Sequence, residues 1–343
     1  MASWFSSETY QLKKAAQTPV VRGFLLLALL ALVLTLVARW VSLSSLGTSL
    51  PPPGLDTHNP EFNAKMNYLE AFARQHGKVD CLLVGSSHID YGLDPTVITQ
   101  MYKSKTGQEF HCFNFGLATL TVDTAAPLTK MLVERYHPGL VILEVSAHSF
   151  DKYFGDLTRP LIKNPWIRYQ LGEQTFEGWL LDNFYIYTYY RTFKLWQNPY
   201  SRDIMIDSWK KMDFNGYSAH SGQNTSEKRA VSSFDFHLDQ SSWREFQNLL
   251  ALNGQTHLVL IEAPLQETFL PAYIRGGRKV YETKFIQPVE AELSARGISF
   301  WRAQVEVAPD IPDSMWFDPQ HLNRQGAALL SNWLAQKLAA VFY

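Results

Sequence analysis

Val79-Asp80-Cys81-Leu82-Leu83-Val84-Gly85-Ser86-Ser87-His88 decides the fold: a short apolar run breaks at a glycine into two hydroxyls and an imidazole. Val79–Val84 has the length and composition of a buried strand. Downstream, Asp94-Pro95 has the form of an N-cap followed by proline at the first helical position, opening a helix over Thr96–Tyr102. A strand ending in Gly and Ser, with a helix soon after, puts a hydroxyl at the carboxyl edge of a sheet. Open α/β folds bind ligands at that edge, and the turn's amides can face an anion there. Gly-Ser-Ser is also ordinary turn chemistry, and the stretch alone does not separate the two readings.

The same rhythm continues outward. Phe110–Phe115, ending at Gly116, reads as a second strand, Leu140–Val145 as a third, Thr256–Ile261 as a fourth and Ile298–Trp301 as a short fifth. Helical spacing marks Glu61–His76, Ala125–Arg135, Ser242–Leu252, Val280–Arg296 and Ala327–Phe342. Short apolar strands alternating with helices predict an α/β domain over 61–343, with a parallel sheet covered on both faces in three layers. Residues 151–239 interrupt the alternation with an aromatic-rich run, NFYIYTYYRTFKLW, and a polar stretch, Asn215–Arg229. We expect a helical insertion with its own small core, serving as a cap over the active edge. Its aromatics would be available to stack on sugar rings or to cover a lipid-linked donor.

Ahead of the domain, Gly23–Ala38 is apolar at every position except Thr35, and Trp40 and Val41 extend the run past Arg39. The segment approaches the roughly 20 residues that cross a bilayer, and 23–45 is read as a transmembrane anchor. Lys13, Lys14 and Arg22 precede it, whereas the next basic residue after Arg39 is Lys65. That asymmetry places residues 1–22 in the cytoplasm and the main domain outside it, periplasmic or extracellular. A cleaved signal peptide is the alternative. Leu46–Pro60, with Pro51 to Pro53, reads as a semi-extended spacer. Across 343 residues, 31 Lys and Arg against 32 Asp and Glu leave a formal net charge of −1, without the basic excess of a nucleic-acid binder. The two cysteines, Cys81 and Cys112, lie in strand-like runs and read as small buried apolar residues. A disulfide between neighbouring strands is the alternative outside the cytoplasm. No zinc-like Cys/His spacing occurs, and neither metal nor cofactor is expected.

A second block, Trp316-Phe317-Asp318-Pro319-Gln320-His321-Leu322-Asn323, stands before the last helix. An Asp three residues before a His can orient the imidazole through one ring nitrogen and leave the other to take a serine's proton. On its own the block reads equally as a capped turn with a surface histidine.

Together the blocks resemble the SGNH/GDSL hydrolase superfamily. The resemblance implies Ser87 as nucleophile, Asp318 and His321 as its partners, and oxyanion donors from the Ser87 and Gly116 amides, with Asn114 or Ser146 as a side-chain donor. The sequence departs from the pattern twice. Ser86 stands where the family carries Asp, and Leu143-Glu144-Val145-Ser146-Ala147-His148 offers no Asn in the third block. With its anchor and Asp-x-x-His-Leu-Asn ending, the chain is similar to the divergent, membrane-tethered branch that includes D-alanyl-lipoteichoic-acid transfer and alginate O-acetylation proteins. That similarity implies serine-dependent acyl transfer to a cell-surface polysaccharide or similar hydroxyl acceptor, beside a multi-spanning membrane O-acyltransferase. A non-catalytic scaffold or carbohydrate-binding subunit is the rival. Ser86, His88, Ser146 and His148 are further candidates for contacting substrate. Glu144, Glu262 and the basic loop Arg275, Arg278 and Lys279 are read either as site residues or as ordinary buried or solvated polar groups.

Overall fold

The computed structural model describes residues 19–43, 55, 57–151, 158–222, 235–269 and 273–342. The amino-terminal segment 1–22 and the spacer 46–60 therefore lie mostly outside the described residues, as does the second half of Asn215–Arg229.

Five strands, β1 (Cys81–Gly85), β2 (Cys112–Gly116), β3 (Leu140–Val145), β4 (His257–Glu262) and β5 (Ser299–Arg302), form one parallel sheet in the order β2-β1-β3-β4-β5. Side chains alternate across it. Leu82, Val84, Phe113, Phe115, Val141 and Leu143 face one core, and Cys81, Leu83, Cys112, Leu140 and Ile142 face another. The first face is covered by α2 (Pro60–His76), α5 (Val122–Tyr136), α10 (Gln240–Leu250) and α12 (Gln287–Ala295). The second is covered by α3 (Ser87–Gly92), α4 (Pro95–Thr106) and α14 (Arg324–Phe342). This is the predicted three-layer α/β arrangement. The chain leaves β1 toward β2 on one side and later takes up β3 on the other. The crevice between the carboxyl ends of β1 and β3 is thus the topological switch point, where such folds bind ligands.

Local details follow the sequence closely. Asp94 accepts from the Thr96 amide at 2.8 Å and caps α4 as expected. Asn323 accepts from the Gln325 and Gly326 amides and starts α14 three residues earlier than its apolar spacing implied. The single helix read over Val280–Arg296 is instead α11 (Gly277–Tyr281), a π turn at Glu282–Ile286, and α12. Pro288 supplies the reason: it has no amide to donate, and its ring crowds the carbonyl four residues back. Cys81 and Cys112, in register on adjacent strands with Cα atoms 4.4 Å apart, are joined in a disulfide, which corrects the reading of two unlinked thiols.

The insertion leaves the core at Asp151 and returns at Leu238, and these two residues bridge one another. It contains α6 (Pro165–Gln170), α7 (Phe176–Asn183), α8 (Tyr185–Trp196) and α9 (Pro199–Lys211). Ahead of the domain, α1 (Pro19–Leu43) is long and apolar enough to cross a membrane by length and composition.

One polar cluster fixes the base of α3. Lys65 projects from the apolar stripe of α2 and is fully buried, with Nζ in an ion pair with Asp90 of α3. The same nitrogen donates to the Gly216 carbonyl of the insertion at 2.8 Å and to the Asn114 carbonyl of β2 at 3.3 Å. Gly216 reaches this position only through a positive φ of 83°, and a side chain there would strike the Asn114 carbonyl. Glu61, one turn before Lys65, accepts from the Ala118 amide at 3.0 Å. Burial first, and then the charge of Asp90, push its carboxyl up to about 8, which leaves one cation balanced by one anion.

Lys65→Met strands the Asp90 carboxylate and is expected to cost about 3–5 kcal/mol, measured by unfolding of the detergent-solubilised protein. Adding Asp90→Asn should restore part of the loss. Glu61 sets a pH dependence of definite sign. The unfolded chain releases this proton near 4.5 and the native protein holds it to about 8, so stability falls as pH rises through that window. Glu61→Gln should flatten the fall by up to about 1.4 kcal/mol per pH unit.

Candidate active site

Ser87 stands at the first position of α3, directly after the switch-point strand β1. Its backbone N–H therefore has no acceptor within the helix. The turn into α3 is tight. Ser86 is the N-cap, its hydroxyl accepting from the His88 amide, and its own amide donates to Glu144 Oε2 at 2.6 Å. A Cβ on Gly85 would fall 2.6 Å from that Glu144 oxygen, so only glycine lets β1 pass β3 here.

The second block closes on this turn from the other end of the chain. Trp316 and Leu322 bridge one another, and the Phe317 amide donates to the His321 carbonyl at 2.8 Å, which folds 317–321 into a compact loop before α14. Within it Asp318 Oδ1 accepts from the Gln320 and His321 amides at 2.8 and 2.9 Å. Asp318 Oδ2 lies 2.8 Å from His321 Nδ1, and His321 Nε2 lies 2.8 Å from Ser87 Oγ. Burial alone would raise the Asp318 carboxyl. The hydrogen bond and charge of His321, with the two amides, outweigh it and hold Asp318 at about 2, so it stays ionised against the ring. The structure thus joins Ser87, His321 and Asp318 in one hydrogen-bonded chain across 234 residues.

A second carboxylate–imidazole pair lies beside the first. Glu144, on β3, is within 2.7 Å of His88 Nδ1 and accepts from the Ser86 hydroxyl at 3.1 Å. Burial opposes its charge, but His88, then His148 and the Ser86 amide, bring it to about 2. The His88 ring centre is 5.5 Å from that of His321 and 5.6 Å from that of His148. His148 is lowered to about 3 by burial and by the adjoining His88, so it is neutral at physiological pH. His220, which the insertion brings in, stacks on Phe317 with ring centres 4.0 Å apart and lies tilted against Tyr91 at 3.9 Å. Burial and the nearby His321 hold it at about 4, also neutral. His88, His148, Ser146, Leu265, Tyr273 and Gln320 also border a small pocket, with about 10 Å³ for the centre of a water-sized group.

Several expectations drawn from the motifs need correction, which the hydrogen bonds explain. The Gly116 amide donates to Asn114 Oδ1 at 2.9 Å and is engaged within β2. Asn114 is fully buried, and its amide group donates to the Ile89 and Leu93 carbonyls at 2.7 and 2.8 Å; it brackets α3 from beneath. Neither is available here as an oxyanion donor. Ser86 is buried in the turn and held by Glu144, so it supports the site without facing substrate. Ser146 bonds Ser149 Oγ at 2.7 Å. Glu262 is buried against Arg302 and Tyr281, and Arg275 and Arg278 pair with Asp235 and Glu267. The aromatic helices of the insertion lie against α1 and α2, and among the described residues the 213–222 segment carrying His220 is the part of the insertion that reaches Ser87 and His321.

Sequence reading missed His220, Tyr91 and the Lys65 cluster. Lys65 carried a usable signal: it falls on the stripe of Phe62, Met66 and Leu69, where a solvated lysine has no place. His220 had none, since it sits in a polar stretch with no periodicity. Glu144→Gln exchanges one acceptor oxygen for a donor and leaves the Ser86 amide or the His88 ring unmatched. The expected cost is about 1–3 kcal/mol in unfolding experiments, accompanied by slower modification of Ser87. The contribution of Glu144 is in place above the ordinary value of 4.5 and is withdrawn as pH falls toward about 2.

No protein-family model matches the chain, and no curated protein does. Among solved structures it is similar to a lipase/acylhydrolase from Enterococcus faecalis, at 12% identity and a TM-score of 0.38 over 76% of this chain and 96% of that one. It is also similar to a carbohydrate acetylesterase family member from Sinorhizobium meliloti, at 9% identity and a TM-score of 0.35 over 76% and 98%. A gut microbial diltiazem-metabolizing enzyme aligns at 13% identity and a TM-score of 0.39 over 77% of this chain and 47% of its own.

Proposed function

We propose that this protein transfers acyl groups through an acyl-Ser87 intermediate. The observation that carries the reading is the continuous hydrogen-bonded chain Ser87 Oγ–His321 Nε2 and His321 Nδ1–Asp318 Oδ2, each contact 2.8 Å. His321 takes the Ser87 proton as Oγ attacks an acyl carbonyl, and Asp318 stabilises the imidazolium that forms. The tetrahedral oxyanion is met by the Ser87 amide. Collapse expels the donor's leaving group with the proton from His321 and leaves an ester on Oγ. A hydroxyl acceptor, or water, then gives its proton to His321 and takes the acyl group.

The acceptor class we propose is a cell-surface polysaccharide or similar polymer, with α1 as a membrane anchor, the domain outside the cytoplasm and a multi-spanning O-acyltransferase as supplier of the acyl group. The Cys81–Cys112 disulfide supports an oxidising compartment. A second reading, a non-catalytic scaffold of an envelope complex, is favoured by one observation. The Gly116 amide is engaged by Asn114 and the third block has no Asn, which leaves the oxyanion short of donors. Loss of one such donor costs on the order of 10²–10³ in rate.

Incubation of the protein with an activated acetyl ester, read by intact mass, separates the two. The acyl-enzyme reading expects an adduct of one acetyl group that Ser87→Ala abolishes and Asp318→Asn slows by about 10⁴. A folded wild type that forms no adduct, with or without co-reconstituted membrane partner, supports the scaffold.

A further inference from the structure

Outside α1, the exposed large hydrophobic side chains are concentrated in one place. Phe176 and Trp179 on α7, Tyr190 and Phe193 on α8 and Tyr200 on α9 make five of the eight among the described residues. Phe176 and Trp179 stack 6.0 Å apart, and Tyr190 and Phe193 are one turn apart on the same side of α8. The opposite side of α8 is anchored by the buried Thr188 and Thr192. A contiguous exposed aromatic face of this kind marks an interaction surface.

Its neighbour says what covers it. α8 is packed against α1, and the Arg39 guanidinium lies 6.0 Å from the centre of the Tyr185 ring. The apolar span of α1 runs from Pro19 to Val41. Arg39 is two residues from the domain-side end of that span. Thr35, the buried residue among the described side chains of α1, is six, so the packed part of α1 lies within about 9 Å of the end. Amphipathic helices that lie in a membrane interface bury their apolar face about 5–10 Å into the headgroup–acyl boundary. Tyr and Trp are enriched at that depth. Lys194, exposed beside Phe193, has the length to reach headgroups from there.

We propose that α7 and α8 form an interfacial seat, with Phe176, Trp179, Tyr190 and Phe193 resting in the headgroup–acyl boundary of the bilayer that α1 spans. The inference rests on α1 as a membrane span. Leu55 already packs on the domain core, and the length of the spacer between it and α1 does not by itself fix the orientation of the domain over the bilayer. The seat removes that freedom and holds the triad at a fixed height and tilt above the lipid.

The test uses the full chain in vesicles of phosphatidylcholine and phosphatidylglycerol, with bimane attached at Phe193→Cys, Val305→Cys or Leu29→Cys. The native cysteines are paired in the disulfide and leave the introduced thiol to react. Phe193 should be quenched several-fold more than the exposed Val305 by lipids carrying a shallow doxyl group, and should be shielded from aqueous iodide. Leu29 should respond to a deep doxyl group. If Leu29 is quenched while Phe193 behaves as Val305 does, the seat is overturned and the face is left for a protein partner, with the anchor intact. If Leu29 is also unquenched, the anchor reading fails and takes the seat with it.

Discussion

A single buried cation organises the edge of the sheet that carries Ser87. Lys65 Nζ stands where α2, β2, α3 and the insertion meet, and each of the four supplies it with an oxygen or the helix that carries it. Water cannot solvate the charge at that depth, so its partners must hold their positions for the cluster to be tolerable. Asp90 is three residues beyond Ser87 on the six-residue α3. Fixing one end of so short a helix fixes the other, and Asn114 reinforces the effect by binding the carbonyls of Ile89 and Leu93. Ser87 is thereby positioned from below by groups buried beneath it.

From above it is positioned by two carboxylates of parallel design. Asp318 collects two backbone amides and the His321 ring, and Glu144 collects one amide, one hydroxyl and the His88 ring. In each case several donors converge on one anion, which keeps it charged despite burial and gives each imidazole a defined orientation. Burial keeps the rings of His148 and His220 around them neutral. Preorganisation of this kind costs nothing at the moment of reaction because the dipoles are already in place.

The parts legible in the sequence were those with a local cause. All five strands, the caps at Asp94 and the Asp-x-x-His loop are written in residues that are neighbours in the chain, and the structure places them within a few positions of their expected bounds. The meeting of Ser87 with His321 was legible only because two local signals fall at the same edge of a parallel sheet. What escaped depends on long-range placement. The choice between a free Gly116 amide and one engaged by Asn114, the burial of Ser86, and the arrival of His220 from the insertion are each settled by packing among distant segments. The aromatic run of α8 was legible as an insertion but not in its direction. A helix pattern gives the width of an apolar stripe and says nothing of which neighbour it meets.

The insertion begins and ends at adjacent points, Asp151 and Leu238, and so has the outline of a module that could be cut out without breaking the sheet. Its Gly216 carbonyl makes that outline deceptive. Excision would leave the central cation with one acceptor fewer in a place no solvent reaches, and the disturbance would arrive at the helix that carries Ser87. The insertion and α3 are therefore coupled in stability, because the same buried charge holds both in place.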